Sequence, residues 1–199
     1  MTRGRPRKID PETALKAAMK VFWEKGYDGT SMCDLVAATG MAKPGIYKYF
    51  GDKESLYGKA LEHYFYDEGG PLLSDFKRAK GRLHDDIYEM LRMIADASFD
   101  NACPKGCFVV NSLVETADQG SHIEKITRKL EAERMEIFNN RFQVAQEKGD
   151  LPADCDAPAL ADFFAAQVSA LAVKSRSGAT REDLYRFIDV AMTALPTSV

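Results

Sequence analysis

Long hydrophobic runs and a cysteine framework are both missing from this sequence of 199 residues. No apolar stretch reaches the ~20 residues that a membrane-spanning helix needs, so we expect no such helix. The basic residues at the start are not followed by an apolar stretch, which argues against a secretory signal. The 4 cysteines are scattered and do not indicate a disulfide scaffold. We therefore expect a cytoplasmic protein with reduced thiols.

Strand patterns are also absent. Alternating runs rich in Val, Ile and Thr do not occur, and turn signals lie ~15–30 residues apart, too far for a sandwich or barrel. Capping patterns predict helix starts at Asp10, Ser31, Ser121 and Thr180, and Gly69-Gly70-Pro71 predicts the clearest break in the chain. Apolar residues at helical spacing fill the last segment, namely Leu184, Phe187, Ile188, Ala191, Met192 and Leu195. The sequence predicts an all-α protein.

Signatures of an enzyme or a metal site are missing as well. There is no nucleophile elbow, no phosphate-binding loop and no plausible Cys/His/Asp grouping. Cys103 and Cys107 are separated by three residues rather than the two of a common zinc motif. The histidines His63, His84 and His122 show no ligand pattern. We therefore expect no catalysis, no metal and no cofactor; an enzyme acting through Cys107 or His122 is the competing class.

Charge is distributed unevenly along the chain. Residues 1–60 hold 11 Lys/Arg against 7 Asp/Glu, a net +4, whereas the other 139 residues hold 16 against 23, a net −7, which together give the total of −3. Arg3, Arg5, Arg7 and Lys8 crowd into the first eight residues. A basic end on an acidic body is typical of a protein whose one end meets phosphate. A solvated basic tail is the alternative explanation.

Two short predicted helices, at about 31–38 and 43–50, are joined by a tight turn that Gly40 permits. On the second helix Ile46 and Phe50 stand four residues apart and would pack inward. The side chains left toward solvent are Lys43, Gly45, Tyr47 and Lys48, with Tyr49 at the edge. Lysine and tyrosine donate hydrogen bonds to phosphate oxygens. The pair of helices therefore predicts a helix-turn-helix that enters the major groove of DNA, with an ordinary helical hairpin as the alternative.

The same tract resembles the DNA-binding signature of the TetR family of bacterial transcriptional regulators. The residues that carry the resemblance are Gly26-Tyr27, Thr30-Ser31-Met32, Asp34-Leu35, Ala37, Thr39 through Phe50, and Asp52-Lys53-Glu54-Ser55-Leu56. A softer similarity to one common subgroup covers 106–115 and 172–184. The resemblance implies a repressor with an N-terminal three-helix DNA-binding domain (1–55) and a C-terminal helical effector-binding and dimerisation domain (56–199).

The resemblance also implies which residues contact DNA. The predicted contacts are Lys43, Pro44 and Gly45 with base edges, Tyr47, Lys48 and Tyr49 with the backbone or nearby bases, and Thr30, Ser31 and Lys53 with phosphate. The arm from Arg3 to Lys8 would reach the flanking minor groove. Two positions depart from the family pattern: Ala42 replaces a common capping serine, and Cys33 replaces a larger polar residue. These departures bear on the operator sequence, which is expected to be palindromic.

The apolar faces of the last two helices predict a homodimer. Part of each face must be intramolecular core, yet an isologous pairing of two such helices would bury a four-helix bundle. The resemblance implies the same arrangement. The residues predicted for this interface are Phe163, Phe164, Leu171, Leu184, Phe187 and Ile188.

A regulatory site is expected in the body, between helices at 82–99, 107–117 and 121–148. The residues predicted to line an effector pocket are Met90, Met93, Phe99, Cys107, Phe108, Phe138 and Phe142, and each of them could equally be core. An alternative is a redox or electrophile sensor at Cys103 and Cys107, where Lys105 could activate a thiol. A further alternative is a factor that positions other regulators or bends DNA without any effector.

Overall fold

The computed structural model describes residues 9–100, 103–117 and 120–196. The predicted arm at Arg3, Arg5, Arg7 and Lys8 lies outside these ranges. The described residues form ten α-helices and no strand, which confirms the all-α prediction. None of these helices has the length and hydropathy that crossing a membrane requires. The helices are α1 Pro11–Lys25, α2 Met32–Thr39, α3 Lys43–Phe50, α4 Lys53–His63, α5 Gly70–Arg78, α6 Leu83–Ala97, α7 Phe108–Thr116, α8 His122–Glu147, α9 Ala157–Arg176 and α10 Arg181–Met192.

Side-chain caps start the helices where the sequence predicted them. Asp10 accepts from Thr13 N at α1 and Ser121 accepts from Glu124 N at α8. Full capping boxes open α2 and α10, where the cap residue and the third helical residue satisfy each other's backbone amides. At α2 the third residue is Asp34, and hydrogen bonds from Lys25 and Ser31 hold the pKa of its carboxyl well below the usual range. The predicted starts are confirmed.

The predicted break at Gly69-Gly70-Pro71 coincides with a change of helix, and no loop intervenes. The chain leaves α4 through one π-helical turn, Tyr64–Glu68, and passes directly into α5. Gly69 keeps right-handed helical backbone angles and its N–H donates to Tyr64 O over 2.9 Å. Pro71 lies in the first turn of α5, where its missing N–H costs no helical hydrogen bond. Proline and glycine here begin a helix instead of ending one.

The described residues pack into two hydrophobic cores. The first is built by α1, α2, α3 and α4 together with the starts of α7 and α8, and its largest buried side chains include Phe22, Leu35, Ile46, Leu61 and Phe108. The second lies among α5, α6, α8, α9 and α10. Arg141, buried on α8 beside this second core, donates to Asp86 Oδ2 over 2.5 Å and to Gly81 O over 3.0 Å. Its charge is thereby compensated inside the protein.

Hydrogen bonds tie the helix-turn-helix end to the body. The Tyr57 hydroxyl of α4 lies 2.6 Å from the Ser112 hydroxyl of α7, and both are buried. At the start of α8, His122 N–H donates to Glu54 Oε1 over 3.1 Å. Gly58 lets α4 approach α8 closely, because a Cβ there would come within 2.6 Å of Ile126 Cδ1. These contacts fix α4 between the two halves.

We expect Tyr57→Phe to lower the free energy of unfolding by about 1 kcal/mol, because it removes one buried hydrogen bond while Ser112 keeps its bond to Phe108 O. Urea unfolding at a fixed protein concentration measures the change. The matched control is Tyr66→Phe, which removes an exposed bond to Glu133 and should change stability by less than about 0.5 kcal/mol. Equal effects of the two substitutions would contradict the assignment.

Candidate nucleic-acid interface

The turn between α2 and α3 is built from local hydrogen bonds and one glycine. Gly40 ends α2 with a φ of 68°, a left-handed conformation in which a side chain would be strained. Thr39 is buried, and its hydroxyl donates to Leu35 O over 2.7 Å and accepts from Met41 N over 3.2 Å. The turn therefore holds α3 at a defined angle to α2, which confirms the predicted helix-turn-helix.

Helix α3 divides into a buried and an exposed side. Ile46 and Phe50 are buried in the first core, as the sequence predicted. The exposed residues are Lys43, Pro44, Tyr47, Lys48 and Tyr49, while Gly45 is half-buried. Two cations lie near tyrosine rings, since Lys43 Nζ is 5.8 Å from the Tyr47 centroid and Lys48 Nζ is 6.0 Å from that of Tyr49. The exposed side therefore presents hydroxyl and ammonium donors together.

The N-terminus of α3 carries no side-chain cap. Ala42 occupies the cap position and makes no hydrogen bond to the first turn. The first turn also contains no acidic residue, so the partial positive charge of the helix end is not neutralised locally. An anion such as phosphate is favoured at such an end.

Three of the predicted contact residues have structural partners of their own. Thr30 is only 1% exposed, and its hydroxyl donates to Gly26 O over 2.6 Å. Ser31 is exposed, but its hydroxyl donates to Asp34 Oδ2 over 2.6 Å within the cap of α2. Lys53 Nζ lies 4.3 Å from the centroid of the Tyr27 ring. These residues support the scaffold, and their contact with phosphate stays a prediction.

Glu115 of α7 is a positioning residue that sequence reasoning missed. Its carboxylate accepts from Tyr27 N over 3.1 Å and from Asp28 N over 3.0 Å, in the loop between α1 and α2. Gly26 precedes this loop with a φ of 76°, and a Cβ there would lie 2.8 Å from the carboxylate. The partners are 87 and 88 positions apart, so no local pattern could have revealed them.

The residues predicted for an effector pocket are not gathered at one surface. Met90, Phe138 and Phe142 are buried in the second core, with Phe99 packed against it. Phe108 is buried in the first core, with Cys107 packed against that core. Met93 is 51% exposed. A cleft lies elsewhere, where α1, α4, α7 and α9 meet, and of these seven residues its walls include Phe108 alone.

The residues predicted for the dimer interface are mostly internal in the single chain. Four of them are buried in the second core: Phe164, Leu171, Leu184 and Ile188. Phe187 is half-buried, and Phe163 is 39% exposed. The apolar stripes of α9 and α10 thus contribute largely to the core of the chain itself.

Comparison with known proteins places these observations in a family. Residues 14–60 match the family model described as "Bacterial regulatory proteins, tetR family", and residues 82–191 match "Tetracyclin repressor-like, C-terminal domain". The repressor ComR of Escherichia coli is 29% identical over 198 residues, covering 100% of this chain and 94% of ComR. The repressor BdcR of the same species is 27% identical over 194 residues, covering 98% and 93%.

A solved structure agrees with the sequence matches. The TetR-family regulator CifR, in a cysteine-substituted form complexed with 26-bp operator DNA, has a TM-score of 0.88 and 31% identity, covering 97% of this chain and 100% of that chain. The relatives that this chain matches are transcriptional regulators and not enzymes. The chain belongs to the TetR family of bacterial regulatory proteins and is a DNA-binding transcriptional repressor.

Proposed function

We propose that this repressor acts in the cytoplasm as a homodimer, binds a palindromic operator and is released by a small-molecule effector. The observation that carries the proposal is the exposed side of α3, where lysines and tyrosines flank an uncapped helix N-terminus. The complex of CifR with its operator DNA supports operator binding by this chain. Lys43, Pro44 and Gly45 are assigned to base edges, and Tyr47, Lys48 and Tyr49 to the DNA backbone or nearby bases.

The need for a dimer follows from the size of α3. A helix of 8 residues is only about 12 Å long and reads few base pairs. Two copies related by a two-fold axis would read half-sites roughly 34–36 Å apart. Apolar side chains available for pairing remain on the last two helices: Phe163 on α9 is 39% exposed and Val190 on α10 is 70% exposed.

The predicted domain boundary separates DNA binding from effector binding and dimerisation. Residues 1–55 would contact DNA, and residues 56–199 would bind the effector and dimerise. Helix α4 starts just before this boundary and packs on both α1 and α8. A change in the body can therefore alter the position of the helix-turn-helix through α4.

We expect Lys48→Ala to weaken binding to a DNA fragment from around the gene itself and to reduce the slope of log affinity against log salt by about 1, because one phosphate contact is lost. Gel shifts at several salt concentrations measure both quantities. The matched control is Lys148→Ala, an exposed lysine at the end of α8, which should leave both unchanged. Failure of the parent protein to bind any such fragment specifically would refute the proposed function.

We expect Phe163→Glu to weaken dimerisation at least about tenfold, because a carboxylate would be buried without a partner at the interface. Sedimentation equilibrium measures the dimer, and operator affinity should fall in parallel. Val144→Glu, on the exposed face of α8, is the control and should remain dimeric. An unchanged dimer with Phe163→Glu would place the interface elsewhere.

A thiol sensor is the second candidate, and the position of Cys107 favours it. Cys107 is the N-cap residue of α7 and is half-buried against the first core. It interacts with the Tyr64 hydroxyl, whose pKa is raised well above its ordinary value by burial and by this cysteine. Cys103 packs against the same core. Oxidation of Cys107 would disturb the packing of the first core, to which α4 also contributes.

If the thiol route operates, hydrogen peroxide should oxidise Cys107 to a sulfenic acid, with water as the other product, and release the operator. We expect Cys107→Ser to abolish that release and Cys155→Ser to retain it, because Cys155 packs against the second core. Gel shifts with and without oxidant, together with mass spectrometry of the thiols, measure the effect. Equal release from both variants would exclude Cys107 as the sensor.

A further inference from the structure

A cleft of about 370 Å³ lies where α1, α4, α7 and α9 meet, directly beside the loop that leads into α2. Its apolar walls come mainly from aromatic and valine side chains, and its polar lining residues come from α1, α7 and α9. The lining residues are Phe22, Trp23, Lys25, Gly26, Tyr57, Phe108, Val110, Asn111, Val114, Glu115, Val173 and Arg176. The cleft is large enough for a small organic molecule and has both an apolar and a polar part.

Two hydrogen-bond donors in these walls have no partner among the described residues. Trp23 is only 8% exposed, and its Nε1 is buried without an acceptor. The side-chain amide nitrogen of Asn111 is also buried without a hydrogen-bond acceptor. Buried polar groups in native proteins are nearly always satisfied, and an unsatisfied donor calls for an acceptor such as water or a ligand oxygen. Both residues line the cleft, so a ligand with acceptor oxygens would satisfy these two donors.

The base of the Arg176 side chain lies close to one of these donors. A Cβ built on Gly106 would lie 3.5 Å from Asn111 Nδ2 and 3.6 Å from Arg176 Cβ, so Asn111 and Arg176 flank the same point. Arg176 is exposed near the end of α9 and forms no ion pair with any described residue. An arginine beside an amide donor suits a carboxylate, which accepts several hydrogen bonds at once. Phe22, Tyr57 and Phe108 then offer apolar surface to the remainder of the molecule.

We propose that this cleft binds a small carboxylic acid with an apolar body and that this acid is the effector. The assignment rests on the proposed function, which requires a regulatory ligand. Asn111 and Arg176 bind the carboxylate, Trp23 donates to the same group or to a second acceptor, and the aromatic walls cover the apolar part. The site differs from the pocket predicted within the body helices, with which it shares Phe108.

The cleft is placed to act on the helix-turn-helix through Glu115. This residue lines the cleft and also accepts the amide hydrogens of Tyr27 and Asp28. A second carboxylate entering beside it repels it, since like charges at short range disfavour each other in a partly buried site. The hydrogen bonds that Glu115 accepts from the loop between α1 and α2 are thereby weakened. Because this loop leads into α2, its release alters the angle at which α3 meets DNA.

The first test is a fluorescence titration of the full chain, because Trp23 is the single tryptophan of the sequence. The probes are 4-phenylbutyrate and octanoate, each compared with the corresponding alcohol. We expect saturable changes in Trp23 emission with both acids and at least about tenfold weaker binding of the alcohols, since the alcohols lack the charged acceptor. Acids and alcohols of equal affinity, or no saturable binding of either acid, would overturn the proposal.

Substitutions in the cleft then test whether the acid binds there. Asn111→Leu removes the donor at similar size and should weaken 4-phenylbutyrate about tenfold or more. Val114→Phe adds bulk at a wall position that is 75% exposed, so the fold tolerates it while the cleft is filled and binding is lost. Met93→Leu, in the pocket predicted within the body, is the control and should leave binding unchanged. Unchanged affinity in the first two variants would place the acid outside the cleft.

A gel shift in the same samples separates this inference from the proposed function. Both acids should release the operator from the parent protein. Glu115→Gln should bind the acids more tightly, because the repulsion is gone, and should respond to them less in DNA binding. Acid binding without release would overturn the regulatory role of the cleft. Acid binding by a protein that recognises no operator would instead refute the proposed function and leave the cleft assignment standing.

Discussion

Glu115 accepts two backbone hydrogens from a loop that lies 87 and 88 residues earlier in the chain, and the geometry of the DNA-binding end depends on this contact. The loop between α1 and α2 has few internal hydrogen bonds, and its Tyr27 and Asp28 amides find their acceptor in α7. The carboxylate thus does for the loop what a capping residue does for a helix. Because α7 belongs to the body, this contact joins the loop directly to the body.

The packing around α4 reinforces this dependence. The first core is not confined to the helix-turn-helix, since Phe108 and the start of α8 complete it. Tyr57 bonds to Ser112, and Gly58 allows close contact with α8. A tightly packed interior transmits a displacement instead of absorbing it. The DNA-binding end and the body therefore share one packed core, and the proposed regulation of α3 by a ligand elsewhere requires such a physical connection.

Prediction from the sequence succeeded where the cause is local. The capping boxes at Ser31 and Thr180, the left-handed turn at Gly40 and the inward side of α3 all depend on residues within four positions of one another. Prediction failed or stayed open where the cause is distant. Phe164 and Ile188 could have faced a partner or the core, and the packing of α6, α8 and α9 around them buries both within the single chain.

The sequence by itself determined the helices, their starts and the surface chemistry of α3, because helical periodicity, capping and the exposure of lysine and tyrosine are written within short segments. It also carried the family resemblance of the DNA-binding tract. Only the tertiary structure decided which carboxylate holds the loop after α1, and which side chains meet at the cleft. Trp23, Asn111 and Arg176 lie on three separate helices, and no periodicity relates them. Their juxtaposition follows from the packing angles of α1, α7 and α9, which depend on all the residues of both cores at once.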